Sequence, residues 1–175
     1  MLAIVRLFKF FWFLTFPVYF VTLFICYFQW PDHVSVHVDN LGDSKFVLEK
    51  SSLFYAITAF MIAYNMIIYI LVSSIAKLPT SALPIPQKEF WTSTKENSTY
   101  VQSLISNWIY TVGAILNIIF VLWIVMITYA NLEQFDMRKP MNYFSFIMPL
   151  FYVLMVVMIL VAIGRFNYKK IIFNN

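Results

Sequence analysis

A single cysteine, Cys26, stands in a chain of 175 residues, so there is no intramolecular disulfide, no CxxC redox pair and no cysteine pair for zinc. Charge is scarce too: Asp, Glu, Lys and Arg together make up 11% of the residues, against about 25% in an ordinary soluble domain. In its place the chain is 62% hydrophobic and 20% aromatic, which does not suit a water-facing surface. The few charges are bunched, and between them lie uncharged runs of 22 residues (10–31), 26 (51–76), 36 (97–132) and 25 (140–164). Each run can cross a bilayer, because a helical span needs about 20 apolar residues. They occupy most of the chain, which excludes a sizeable soluble domain, a disulfide scaffold, a nucleotide-binding fold and a nucleic-acid-binding module.

Those runs contain no carboxylate, lysine, arginine or histidine. Intramembrane enzymes and ion-coupled carriers place such groups inside their spans, where burial is costly and needs a functional return. The sequence therefore argues against an intramembrane serine protease, which needs a base, and against a proton-coupled carrier, which needs a buried carboxylate. No catalytic residue and no cofactor are expected. The polar groups inside the runs are amides and hydroxyls, notably Asn65, Asn117, Thr58, Thr111 and Thr128.

Continuous hydrophobicity without alternation of period two indicates helices rather than a barrel, since lipid forces backbone polar groups to be satisfied internally. The expected fold is all-α and integral to the membrane, a single domain of residues 1–175. Its four spans are drawn at about Phe8 to Phe28, Leu53 to Ile75, Trp108 to Ala130, and Phe144 to Ile163. The first stretch reads as a retained span rather than a cleaved signal, because it is longer than a signal h-region of about 7 to 15 residues. Pro17 and Pro149 predict local bends.

Orientation follows from the bases. Arg6, Lys9, Lys77, Lys88, Lys95, Arg165, Lys169 and Lys170 fall on one side, and Lys45, Lys50, Arg138 and Lys139 on the other. Basic residues in short loops stay cytoplasmic, so both termini and the middle loop are expected inside, with the loop after the first span outside. The net charge of +4 is then a topology signal rather than a nucleic-acid patch. Trp30, Trp91, Trp108, Tyr143 and Tyr168 lie near the expected interfaces.

In the middle loop Pro79, Pro84 and Pro86 break the second helix and favour an extended crossing. Ser93-Thr94-Lys95-Glu96 fits a capping box with Ser93 as N-cap, so the third helix is expected to start well before the membrane. Asn97-Ser98-Thr99 matches a glycosylation sequon, but on the expected cytoplasmic side the match is incidental.

The outer loop, residues 30–52, is the most informative soluble segment. From His33 to Asp39 polar and apolar residues alternate, as in a short strand with His33, Ser35, His37 and Asp39 on one face. His33, His37 and Asp39 form a weak candidate donor set for zinc or copper; the plainer reading is a solvated strand face backed by packed valines. Gly42 is expected at a turn, and Ser51 or Ser52 as the cap of the second helix.

Pro31-Asp32-His33-Val34-Ser35-Val36-His37, followed by Gly42 and Lys50, resembles the signature of a bacterial membrane family numbered sixteen forty-eight among domains of unknown function. Pro31, His37, Gly42 and Lys50 match its pattern with the right spacing. Ser35 stands where proline is usual, Val38 where an aromatic is usual, Asp39 for asparagine, and Lys45 where an acid is usual. A second stretch around Pro86, Lys88, Glu89 and Trp91 resembles a Pro-x-Lys-acid-aromatic-Trp segment of short members. Together the two patches span roughly the first half of the chain. The same domain forms the N-terminal part of SdpI-like immunity proteins, which protect bacteria from a secreted toxin and relay its presence to a regulator. The resemblance implies a short, stand-alone member in the bacterial inner membrane.

Three functional classes follow. The first is a non-enzymatic protein whose outer loop, with His37 and Lys50, binds a protein or peptide partner or a lipid headgroup, in immunity or signalling. The second is a small transporter or channel subunit with a polar path around Asn65 and Asn117; the third is an accessory scaffold of a larger membrane complex. Oligomeric state is not legible from these residues.

Helix association in lipid depends on close packing and polar contacts rather than on a hydrophobic drive. Asn65 lies about one residue, and Asn117 about two, to the cytoplasmic side of its span's midpoint. In antiparallel helices that sets both amides at nearly one depth, so the second and third spans are expected to pack with Asn65 and Asn117 facing inward. Gly113, one turn from Asn117, would allow close approach. The alternative is that each amide bonds its own helix backbone or a nearby Thr or Tyr.

Overall fold

The computed structural model describes residues 2–38 and 44–132, together with isolated positions between 149 and 164. The order is α1 (Leu2–Gln29), β1 (His33–Val38), β2 (Ser44–Glu49), α2 (Lys50–Lys77), a 3-10 turn (Thr80–Ala82), α3 (Lys88–Thr92) and α4 (Lys95–Ala130). Three helices, Leu7–Gln29 within α1, α2 and α4, are long and apolar enough to cross a membrane. The fourth expected span, 144–163, falls largely outside the described residues.

α4 is the central helix. Along its length from Val101 to Ala130 only Trp108, Ile118, Leu122 and Tyr129 are exposed. α1 and α2 both pack on α4 and touch each other less. α1 runs parallel to α4, since the Trp12 ring meets Tyr110 at 5.2 Å near one end and Trp30 meets Thr128 near the other. α2 runs antiparallel to both, with the Tyr19 hydroxyl donating to the Ile57 carbonyl at 3.2 Å and Gln102 Nε2 to the Leu78 carbonyl at 2.8 Å. The buried stripe on α1 is Trp12, Tyr19, Leu23 and Cys26, continued by Trp30 just past its end; that on α2 is Leu53, Ile57, Met61, Asn65, Ile68 and Val72. Steps of three, four and seven keep each stripe on one helical face. The remaining faces are exposed and apolar, with Phe10, Phe13, Phe24 and Phe28 on α1 and Phe60, Ile67 and Ile70 on α2, as lipid-facing surfaces are. Pro17 lies on the exposed face of α1, and the helix continues through it.

α2 stops for a local reason. Leu78 precedes Pro79 and is held extended at φ −73°, ψ 139°, because the proline ring disfavours the helical region for the residue before it. Leu83 before Pro84 is extended likewise. Between and after the prolines the chain is not simply extended, as expected from sequence: it forms the 3-10 turn and then α3, entered through Gln87 in the left-handed region at φ 55°.

Two caps differ from expectation. The N-cap of α4 is Thr94, not Ser93: Thr94 Oγ1 accepts from the Asn97 N–H at 3.1 Å. Ser93 is already helical and ends α3, with its hydroxyl donating to the Phe90 carbonyl at 2.7 Å, so it cannot also open α4. α2 begins at Lys50 with Glu49 as N-cap and no side-chain bond there; Ser51 and Ser52 lie inside its first turn and do not cap it.

The expected outer strand is β1, and sequence reading missed its partner β2. The two are antiparallel, pairing His33 with Glu49, Val34 with Leu48 and Ser35 with Val47, after which the register shifts. Val34 is fully buried against Cys26 and Trp30, and Val36 and Leu48 pack on the same cluster, so the hairpin caps the helix ends.

Candidate functional site

Two constructions stand out, one inside the bundle and one on its hairpin end. The first begins with Asn65 and Asn117, which are 2% and 0% exposed. Each amide nitrogen donates to the other's oxygen at 3.1 Å, so the pair is joined by two reciprocal bonds. α1 completes the cluster. Trp12 Nε1 donates to Asn65 Oδ1 at 2.9 Å, and Asn117 Nδ2 donates to Thr15 Oγ1 at 2.7 Å. Thr15 in turn donates to the Trp12 carbonyl at 2.6 Å, and Asn65 Nδ2 also donates to the Met61 carbonyl at 3.0 Å.

These partners fix which way each amide points. An indole N–H can only donate and a carbonyl can only accept, so Trp12 selects Asn65 Oδ1 and Met61 selects Asn65 Nδ2. Asn117 must then be complementary. Every N–H and O–H of Trp12, Thr15, Asn65 and Asn117 side chains is used within the cluster, which removes the cost of burying polar groups in an apolar medium.

Gly113 lies one turn before Asn117. A Cβ there would meet Trp12 Cδ1 at 3.1 Å, Trp12 Nε1 at 3.2 Å and Ile68 Cγ2 at 3.3 Å. The missing side chain thus admits the indole of α1 as well as α2, and so lets Trp12 reach Asn65. Trp12 and Thr15 were not singled out from sequence, where Trp12 reads as one more ring in a phenylalanine-rich run. A signal was available: Trp12, Thr15, Tyr19, Cys26 and Trp30 all lie on one helical stripe.

The second construction fixes the hairpin. Asn131, the C-cap of α4, accepts from the Ser35 N–H at 2.8 Å and donates from Nδ2 to the Ser35 carbonyl at 2.9 Å. One carboxamide therefore satisfies both outward backbone groups of Ser35, as a neighbouring strand would. Asn131 Nδ2 also reaches the Ile127 carbonyl at 2.8 Å, which ties it to its own helix. Trp30 Nε1 donates to Thr128 Oγ1 at 2.7 Å just beneath, and the Lys50 N–H donates to the Asp32 carbonyl at 2.9 Å. On β2, Phe46 and Val47 are left 54% and 47% exposed.

Among the motif residues, Pro31 and His33 are exposed and Lys50 is half-buried at the start of α2. The backbone of His37 pairs with Phe46, while Gly42 and Asp39 lie outside the described residues. Among the described residues no group of three or more His, Cys, Asp or Glu is placed to hold a metal. At the opposite end Pro86, Lys88 and Glu89 are exposed, whereas Trp91 is buried and stacks on Tyr100 at 6.1 Å. Asn97 Nδ2 and Ser98 Oγ reach the Phe90 and Trp91 carbonyls, both at 3.1 Å, so α3 is bound down on the first turns of α4.

The fold and these contacts define a class: a helical protein with three helices long and apolar enough to cross a membrane, which suggests a membrane protein, and a small sheet on one end. No protein-family model, no curated protein and no solved structure matches the chain.

Proposed function

We propose that the protein is a non-enzymatic, multi-pass protein of the bacterial inner membrane that binds a protein or peptide partner on its outer hairpin, in immunity or signalling. The observation that carries this reading is the Asn131 clamp on Ser35. It makes the hairpin part of the bundle rather than a loose loop, while Phe46 and Val47 remain outside as apolar side chains that a partner can cover. A pre-ordered surface binds at a lower entropic cost than one that must be ordered on contact. The resemblance of the outer segment to the immunity-protein domain, with Pro31, His37, Gly42 and Lys50 in register, supports the same assignment, as does the basic asymmetry that sets this hairpin outside.

The bonding of the amide cluster counts against a transport path. A site that passes ions or solutes needs donors or acceptors that exchange partners, whereas the donors of Trp12, Thr15, Asn65 and Asn117 are all satisfied within the cluster. This cluster sets helix register.

The test is site-specific photocrosslinking from positions 46 and 47 in native membranes. A discrete protein adduct at both positions, lost in Asn131→Ala, is the expected result. Adducts to lipid alone would refute the partner reading, and unchanged sensitivity of a deletion strain to sibling-cell toxins would remove its immunity form.

A further inference from the structure

Lys50 has a setting that the hairpin surface does not use. Its ammonium lies 5.0 Å from the centre of the Tyr27 ring and donates to the Trp30 carbonyl at a long 3.4 Å. Among the described residues no carboxylate pairs with it, and the neighbouring Glu49 and the nearby Asp32 are exposed. Lysine has three donors. One is weakly engaged and one side of the ammonium faces the ring; among the described residues nothing else takes up the rest of its hydrogen-bonding capacity.

The surroundings indicate which anion. Tyr27 packs on Phe54 at 4.8 Å and near Trp30 at 6.5 Å, bridging the end of α1 to the start of α2. On α1 the exposed Phe24, about one turn deeper than Tyr27, packs edge to face at 4.9 Å on the exposed Phe28, and on α2 Tyr55, next to Phe54, is exposed too. Tyrosine and tryptophan concentrate at headgroup depth, and Lys50 sits at the level of these rings. A half-buried cation at that depth, above an apolar rim suited to acyl chains, is complementary to a phospholipid rather than to a soluble acid.

We propose that Lys50 and Tyr27 form a subsite for the phosphate of a phospholipid in the leaflet on the hairpin side, with its acyl chains against Phe24 and Phe28. The ammonium bonds the phosphate while the Tyr27 ring, through cation–π attraction, holds the ammonium in place. This site lies on the lipid-facing rim, so it stands or falls apart from the partner surface at Phe46 and Val47.

The experiment is native mass spectrometry of the full purified chain titrated with phosphatidylglycerol and with a glucosyl diacylglycerol of identical acyl chains. A hydrogen bond to a charged group contributes about 1.5 to 3 kcal/mol, so the phosphate-bearing lipid is expected to bind at least about tenfold more tightly. Lys50→Gln should abolish the preference and Lys50→Arg should keep most of it; Tyr27→Leu should reduce it. Excess inorganic phosphate should not displace the lipid. Equal binding of the two lipids by the wild-type chain would overturn the proposal without reliance on any variant. A preference unchanged in Lys50→Gln, or loss of bound lipid to inorganic phosphate, would overturn it too.

Discussion

Replacing Asn65 by leucine should destabilise the bundle more than replacing Asn117, although the two amides are bonded to one another. The reason lies in what each substitution leaves behind. Asn117→Leu removes the reciprocal pair and the bond to Thr15, but the Asn65 N–H it strands still has the Met61 sulfur at 3.3 Å, Thr15 still donates to the Trp12 carbonyl, and Asn65 still holds Trp12 and the Met61 carbonyl. Asn65→Leu removes the same pair and also strips Trp12 Nε1 of its acceptor. Interhelical hydrogen bonds in membranes are worth about 0.6 kcal/mol on average and up to about 1.7. An orphaned buried donor costs about 1 to 3 kcal/mol. Asn117→Leu should therefore cost about 1 to 2 kcal/mol and Asn65→Leu about 2 to 4. Their coupling in a double-mutant cycle should be about 0.6 to 2 kcal/mol, and Trp12→Phe should partly rescue Asn65→Leu by removing the stranded N–H. Reversible unfolding in bicelles gives all four values. Additive effects within about 0.5 kcal/mol, the scatter expected of independent sites, would refute the reciprocal pair. A larger loss for Asn117→Leu than for Asn65→Leu would refute the role given to Trp12.

Gly113→Ala should destabilise by about 1 to 3 kcal/mol through overpacking against Trp12 and Ile68, and a shift in tryptophan emission should accompany the loss in the same unfolding experiment. Thr94→Ala should cost about 0.5 to 2 kcal/mol and speed amide exchange in the first turn of α4. Ser93→Ala should leave that turn unchanged, a contrast that hydrogen-exchange mass spectrometry reads directly.

The pairing of Asn65 with Asn117 was legible because each lies near the middle of a long apolar run, and two amides at matching heights in antiparallel helices have few other partners. The two members from α1 were harder to read: only their place on one helical stripe with Tyr19, Cys26 and Trp30 sets Trp12 and Thr15 apart from the phenylalanines around them, and their partners appear only once α4 brings Gly113 beneath the Trp12 ring. β1 showed in the alternation of valines with polar residues. β2 did not, because Phe46-Val47-Leu48 is an unbroken apolar run in which alternation cannot be seen. The capping box at Ser93 had the better sequence match, but Ser93 was already committed to ending α3 through Phe90. Asn131 gave no sequence signal, since its role depends on a backbone edge 96 residues away.

The Asn131 clamp on Ser35 is open to direct measurement. Hydrogen exchange of the Ser35 amide, followed in nanodiscs for the wild-type chain and for Asn131→Ala, measures whether the helix bundle holds the hairpin. Strong protection in the wild type is expected, falling at least about tenfold in the variant for a lost bond near 1.4 kcal/mol, with the centre of α4 unchanged. A Ser35 amide that exchanges in the wild type as fast as in an unfolded peptide, or one indifferent to Asn131→Ala, would contradict a fixed hairpin and the partner surface built on it.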